Sequence, residues 1–105
     1  MGKEVEVVMD RPLGSVHPER KNLVYEVNYG YLPGTMADDG EEIDAYVLGP
    51  DQPLERYRGK VIAIIKRNND VEDKLVVADG KEYTAVEIMK LVHFQEQYWD
   101  SSVVT

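Results

Sequence analysis

The sequence predicts a mainly β (α+β) domain, a five-stranded Greek-key barrel with one C-terminal helix. Three observations predict it. Short β-branched apolar runs recur as far as Ala78, separated by Gly, Pro and charged turns. Helical spacing occurs in one segment only, near the C-terminus. The 105 residues are enough for a single domain, residues 1–105, and too few for two.

Glu4-Val-Glu-Val-Val-Met9 alternates charged and apolar residues before turning apolar, the pattern of a strand. Pro12 ends it, because proline has no amide hydrogen for a ladder. Gly14 to Asn22 is a polar loop containing His17-Pro18, and Leu23 to Val27 reads as a second strand leading into a tyrosine-rich turn. Ile43 to Leu48 is the third strand, stopped by Gly49-Pro50, where a polar loop begins and runs to Gly59. Lys60-Val-Ile-Ala-Ile-Ile65 carries the strongest strand signal. Beyond the acidic turn Asn68 to Asp73, Lys74 to Ala78 pairs with it as an antiparallel hairpin with a wide loop. Thr84 and Glu87 form a capping box that opens the helix. Ala85, Ile88, Met89, Val92 and Trp99 follow at helical spacing as one apolar stripe. The tail Val103-Val104 extends an edge strand or meets another subunit, so a homo-oligomer is expected.

Twelve Lys and Arg against twenty Asp and Glu leave a formal charge of −8. Such a surface repels nucleic acid and anionic membrane, which excludes both as expected partners. It also repels an anionic substrate unless a divalent cation accompanies it. Cysteine is absent, so disulfides and thiolate metal sites are excluded. With no signal-peptide pattern and no apolar run near the ~20 residues of a membrane span, a cytoplasmic protein is expected.

The segment from Tyr25 to Asp44 gathers three tyrosines, a Gly-rich turn and a run of carboxylates. Core packing does not call for that mixture. A metal-bound polyanion does, since Mg²⁺ takes hard oxygen ligands and phenol hydroxyls can hold phosphate oxygens. Asp39 and Glu41 share a face of an extended chain, Gly40 permits a tight turn, and a bend near Glu42 brings Asp44 towards both. An EF-hand is excluded, because Gly40 as its turn glycine would put Thr35 first and Tyr46 twelfth. Asp70, Glu72 and Asp73 form a second acidic group, a solvated hairpin tip unless it folds over the first. Arg11, Lys66 and Lys74 sit at strand ends, where a cation can meet phosphate oxygens. His17 and His93 have no metal-binding spacing, and no nucleophile elbow or phosphate-cradling loop occurs. Metal-assisted attack of water on phosphorus is the chemistry left.

Tyr25-x-x-Asn28-Tyr29-Gly30-Tyr31, then Thr35, then Asp39-Gly40-Glu41-x-Ile43-Asp44 resembles the centre of the family I soluble inorganic pyrophosphatases. The similarity continues from Val61 to Val77 through Lys74-Leu75-Val76 and returns at His93-Phe94-x-Glu96-x-Tyr98, roughly two thirds of the chain. The resemblance implies an OB-like barrel that cleaves Mg²⁺-bound pyrophosphate into two phosphates. By position it makes Asp39 and Asp44 metal ligands and Asp70 and Asp73 a second pair. Glu41 falls at the water-activating aspartate, so Asp39, Glu41 and Asp44 form the implied catalytic group. Arg11, Tyr25, Tyr29, Lys74 and Tyr98 would hold phosphate oxygens. The chain departs from the family pattern. Glu41 replaces an aspartate, Asp70 and Asp73 are more closely spaced than the family's hairpin carboxylates, and Trp99 stands in place of a phosphate-binding lysine. The chain is also shorter, with no clear counterpart of the family's N-terminal Lys-x-Glu element before Arg11. These departures leave two alternatives open: a hydrolase of another phosphoanhydride such as a nucleoside diphosphate, or a binding module on the same barrel.

Overall fold

The charged–apolar alternation at the start of the chain becomes strand β1 (Glu4–Arg11), with Val7 and Met9 buried. The structure, a computed structural model, describes residues 2–37, 40–68 and 73–105. In these, β1 is followed by β2 (Asn28–Tyr31), β3 (Asp44–Leu48), β4 (Arg56–Arg67), β5 (Lys74–Ala78), helix α1 (Ala85–Glu96) and β6 (Ser101–Val104). β1 pairs antiparallel with β2, β2 with β3 and β5 with β4, whereas β3 and β5 run parallel. β4 then pairs back onto β1, closing a five-stranded OB-like barrel.

One long strand makes the closure possible. The first residues of β4 pair with β1, and the part from Lys60 to Ile65 pairs with β5. A register shift between Val61 and Ala63 bends it there, as an extra residue in a ladder does. Its last residues, from Ile64 to Arg67, pair with β6. The Val103-Val104 tail therefore covers an edge of β4.

The expected second strand is displaced. Leu23, Tyr25 and Val27 are buried while Val24 and Glu26 are exposed, so the period-two signal is real. Their backbone bonds, however, go to an arm and not to the barrel. Tyr25 N–H donates to Ser15 O and His17 N–H to Leu23 O, both at 2.9 Å, with an isolated bridge between Val16 and Val24. The barrel strand is the next segment, the one expected as a tyrosine-rich turn. Gly30 permits this, because a Cβ there would lie inside contact distance of the Val8 carbonyl and 2.7 Å from Met9 Cα. Gly30→Ala is expected to lower stability by about 3 kcal/mol, since backbone and not a flexible side chain must give way. Urea unfolding of the variant measures it. Asn28, fully buried, ties the arm and the β3–β4 loop together: its Oδ1 accepts from Leu13 and Leu54 N–H, and its Nδ2 donates to Gln52 O.

Helix α1 starts as expected. Thr84 Oγ1 accepts from Glu87 N–H, and Glu87 Oε1 accepts from Thr84 N–H. Ile88 and Val92 pack on the barrel core formed by Tyr46, Leu48, Ile65 and Val76. The stripe ends earlier than expected: the helix stops at Glu96, and Trp99 lies beyond it in the turn leading to β6. No helix among the described residues is long and apolar enough to cross a membrane.

Candidate active site

Beyond the buried Val7 and Met9, the end of β1 carries Asp10 and Arg11 to the barrel mouth. Between Met9 and Arg11 the register against β2 slips by one, leaving Asp10 as the extra residue of a bulge. Asp10 and Arg11 thus both border a cavity of about 250 Å³, together with His17, Tyr25, Tyr29 and Asp44. Arg67, Gln95 and Trp99 complete its wall. A larger depression of about 740 Å³ lies at the start of the helix around Ile62 and Tyr83, and its wall holds none of the candidate site residues.

Asp44, the first residue of β3, anchors the mouth. Its Oδ2 accepts from Lys74 Nζ at 2.6 Å and from Tyr29 Oη at 3.0 Å. The parallel pairing of β3 with β5 sets this contact, placing Ala45 beside Leu75 and so Asp44 beside Lys74. Lys74 is almost fully buried, whereas Asp44 keeps partial access to solvent. The cation is therefore held from behind while its partner faces the opening.

The electrostatics suit donors and cations. Burial pushes the Tyr25 phenol up to about 12, against the lowering effect of Arg11. Burial raises Tyr29 well above the ordinary phenol value, with the Asp44 charge adding to it. Both phenols stay protonated at neutral pH and act as hydrogen-bond donors. Asp10 counts as exposed over the whole residue, yet its carboxyl is raised by desolvation against the cavity wall. The negative charge of Asp44 raises it further, and Arg11 opposes both. Two carboxylates thus share one small space with cations around them.

A buried network supports the cavity from the helix side. Tyr25 Oη donates to Gln95 Oε1 at 2.6 Å, and Gln95 Nε2 donates to Tyr46 Oη at 2.7 Å. Tyr46 Oη donates to Glu96 Oε2 at 2.5 Å. Arg67 grips the same carboxylate through Nε at 3.0 Å and Nη2 at 2.6 Å, and Ser101 Oγ donates to it at 2.6 Å. The Arg67 guanidinium lies 3.9 Å from the centre of the Trp99 ring. The chain of contacts starts on the cavity wall at Tyr25 and returns to it at Arg67.

The structure brings Arg11, Tyr25, Tyr29, Asp44 and Lys74 together at this cavity and its rim. Glu41 and Asp73 are exposed and do not line it. Asp39 and Asp70 lie outside the described residues. Tyr98 borders a different depression, with the Arg20 guanidinium 4.1 Å from its ring centre. Of the expected strand-end cations, Lys66 points to solvent and its neighbour Arg67 is buried in the wall. Asp10, His17, Arg67 and Gln95 were not anticipated at the site. Parity could have found Arg67, which is in step with the buried Ala63 and Ile65 along β4.

A family model described as inorganic pyrophosphatase matches residues 4–101. Inorganic pyrophosphatase 1 of Pseudomonas syringae pv. tomato is 33% identical over 95 residues, spanning 74% of this chain and 54% of its own. Soluble inorganic pyrophosphatase 2 of Chlamydomonas reinhardtii is 32% identical over 91 residues, spanning 78% of this chain and 47% of its own. The chain spans about half the length of the curated relatives it matches. Among solved structures, an inorganic pyrophosphatase from Ehrlichia chaffeensis superposes with a TM-score of 0.73 at 19% identity, covering 96% of this chain and 83% of its own. One from Neisseria gonorrhoeae gives 0.70 at 22%, covering 92% and 74%. These likenesses show a shared fold. The barrel closure and the match over residues 4–101 lead to one conclusion: the chain belongs to the inorganic pyrophosphatase family.

Proposed function

We propose that the chain hydrolyses inorganic pyrophosphate to two phosphates with Mg²⁺. The observation that carries this is the Lys74–Asp44–Tyr29 constellation opening onto a cavity that also holds Asp10 and Arg11. Family membership and the names of the relatives support it.

Asp10 and Asp44 offer oxygen donors only, a set that fits a hard divalent cation. Asp44 is the ligand in this reading, with Asp39, Asp70 and Asp73 assigned as further ligands by their positions in the motif. Bound there, the ion would neutralise phosphate charge and favour ionisation of water. The chain's own groups do the rest. Arg11 on the cavity wall holds phosphate oxygens. Tyr25, Tyr29, Lys74 and Tyr98 are assigned the same role by their positions in the motif, Tyr25 and Tyr29 on exchanging their present acceptors Gln95 and Asp44 for phosphate. Water oxygen attacks one phosphorus and the bridging P–O bond breaks to leave two phosphates. Glu41, which does not line the cavity, is assigned the water's proton by its position in the motif alone.

The test is phosphate release from pyrophosphate in millimolar Mg²⁺, beside the Asp39→Ala variant. Release by the unmodified chain alone is the expected result. Absence of release, or faster release from a nucleoside diphosphate, would overturn it.

A further inference from the structure

His17 serves no role in the reading above, yet its ring borders the cavity. It is rigidly placed. Its own N–H donates to Leu23 O, and Ser15 and Tyr25, two residues away on either side of the arm, exchange a further bond. The ring lies nearly parallel to that of Tyr25, with 10° between planes and 6.3 Å between centroids.

Its two nitrogens are differently used. Nδ1 accepts from the backbone N–H of Glu19 at 3.0 Å and of Arg20 at 3.1 Å. A nitrogen that accepts has no proton, so the neutral ring carries its proton on Nε2. The loop therefore selects one tautomer, and the nitrogen not used by the loop is the donor. Tyr25, whose hydroxyl donates to Gln95, and Arg11 border the same cavity. Arg11 and His17 thus line the cavity together with the carboxylates Asp10 and Asp44.

We propose that His17 is a substrate-binding residue, donating from Nε2 to a phosphate oxygen in the cavity that it lines with Asp44. This rests on the phosphate-binding reading of the cavity. It adds a donor from the arm to the groups around the cavity.

Two substitutions separate the donor from the loop cap. His17→Asn keeps an acceptor near the Nδ1 position, able to take the two loop N–H groups as an Asx turn does, and removes the Nε2 donor. His17→Gln places an amide N–H near the Nε2 position. With pyrophosphate and Mg²⁺, His17→Asn is expected to raise KM about tenfold with an unchanged melting temperature, the scale of one hydrogen bond to a charged group. His17→Gln should recover most of that loss. An unchanged KM in His17→Asn, or a loss that follows melting temperature and is not recovered by Gln, would overturn the proposal.

Imidazole nitrogen NMR of the unmodified chain decides the matter without turnover, with His93 as the internal reference. The Nε2–H tautomer at His17, and a change in its Nε2 signal as inorganic phosphate is added, are expected. The Nδ1–H tautomer, or no change at saturating phosphate, would overturn the proposal. A chain that shifts its His17 signal with phosphate but releases none from pyrophosphate retains this assignment and refutes the hydrolytic one.

Discussion

Asp44→Asn is expected to lower the rate of phosphate release from pyrophosphate on the order of 10²–10³-fold while the barrel stays folded. The reason lies in where Asp44 sits. Its carboxylate is partly open to solvent, whereas Lys74 behind it is almost completely buried. Asparagine keeps an oxygen that can accept from Lys74 Nζ and Tyr29 Oη, so the two hydrogen bonds and the strand pairing persist. What disappears is the negative charge facing the cavity, which a divalent cation requires and which also balances the buried Lys74, so some stability is lost with it. The variant should therefore need about tenfold more Mg²⁺ for half its maximal rate, as well as turning over slowly. Circular dichroism and a Mg²⁺ titration of phosphate release measure both. Turnover within tenfold of the unmodified chain would show that Asp44 is only the structural partner of Lys74.

Much of the barrel was legible because its signals are local. The capping box at Thr84 and Glu87, the β-branched run of β4 and the antiparallel hairpin to β5 depend on neighbours in sequence. The Leu23 to Val27 segment shows where local signals fail. Its alternation correctly reports which side chains are buried, but burial does not say which backbone supplies the hydrogen bonds. Here the arm residues Gly14 to His17 supply them, and the barrel strand begins at Asn28. The site divides in the same way. Asp44 and Tyr29 stand out as polar residues within a motif, and Lys74 as a cation at a strand start. Asp10 owes its place to a bulge, which leaves no mark in residue type. His17 owes its place to an arm folding back, and Gln95 to the last turn of a helix docking over the barrel. Contacts made across some 50 to 70 residues, such as Tyr46 with Glu96 and Tyr25 with Gln95, follow from closure of the fold. Lys66 and Arg67 are both cations at the end of one strand, and only the strand's facing separates them.

Glu96→Gln is expected to destabilise the fold by about 3 kcal/mol. The carboxylate receives Arg67, Tyr46 and Ser101, and both members of its pair with Arg67 are buried. Glutamine matches the shape, but its amide nitrogen must face a donor, and it leaves the Arg67 charge buried without a counter-charge. Adding Arg67→Met removes that charge, so the double variant should be more stable than the sum of the single losses predicts. Urea unfolding of the four proteins measures the coupling. Their pH dependence tests its electrical part. Burial alone would raise the Glu96 carboxyl, but bonds from Arg67, Ser101 and Tyr46, with the Arg67 charge, hold it below its ordinary value of 4.5. A depressed carboxyl stabilises the fold fully above its unfolded-state pKa, and that contribution falls away as pH drops through the folded-state value. The gap between Glu96→Gln and the unmodified chain should accordingly be widest near neutrality and shrink below about pH 4.5. A gap of constant size down to strong acid would mean that shape, and not charge, holds this network together. Convergence in acid would mean that a single buried carboxylate at the end of α1 fixes Arg67 and Tyr46 and, through Gln95, the wall on which Tyr25 meets the cavity.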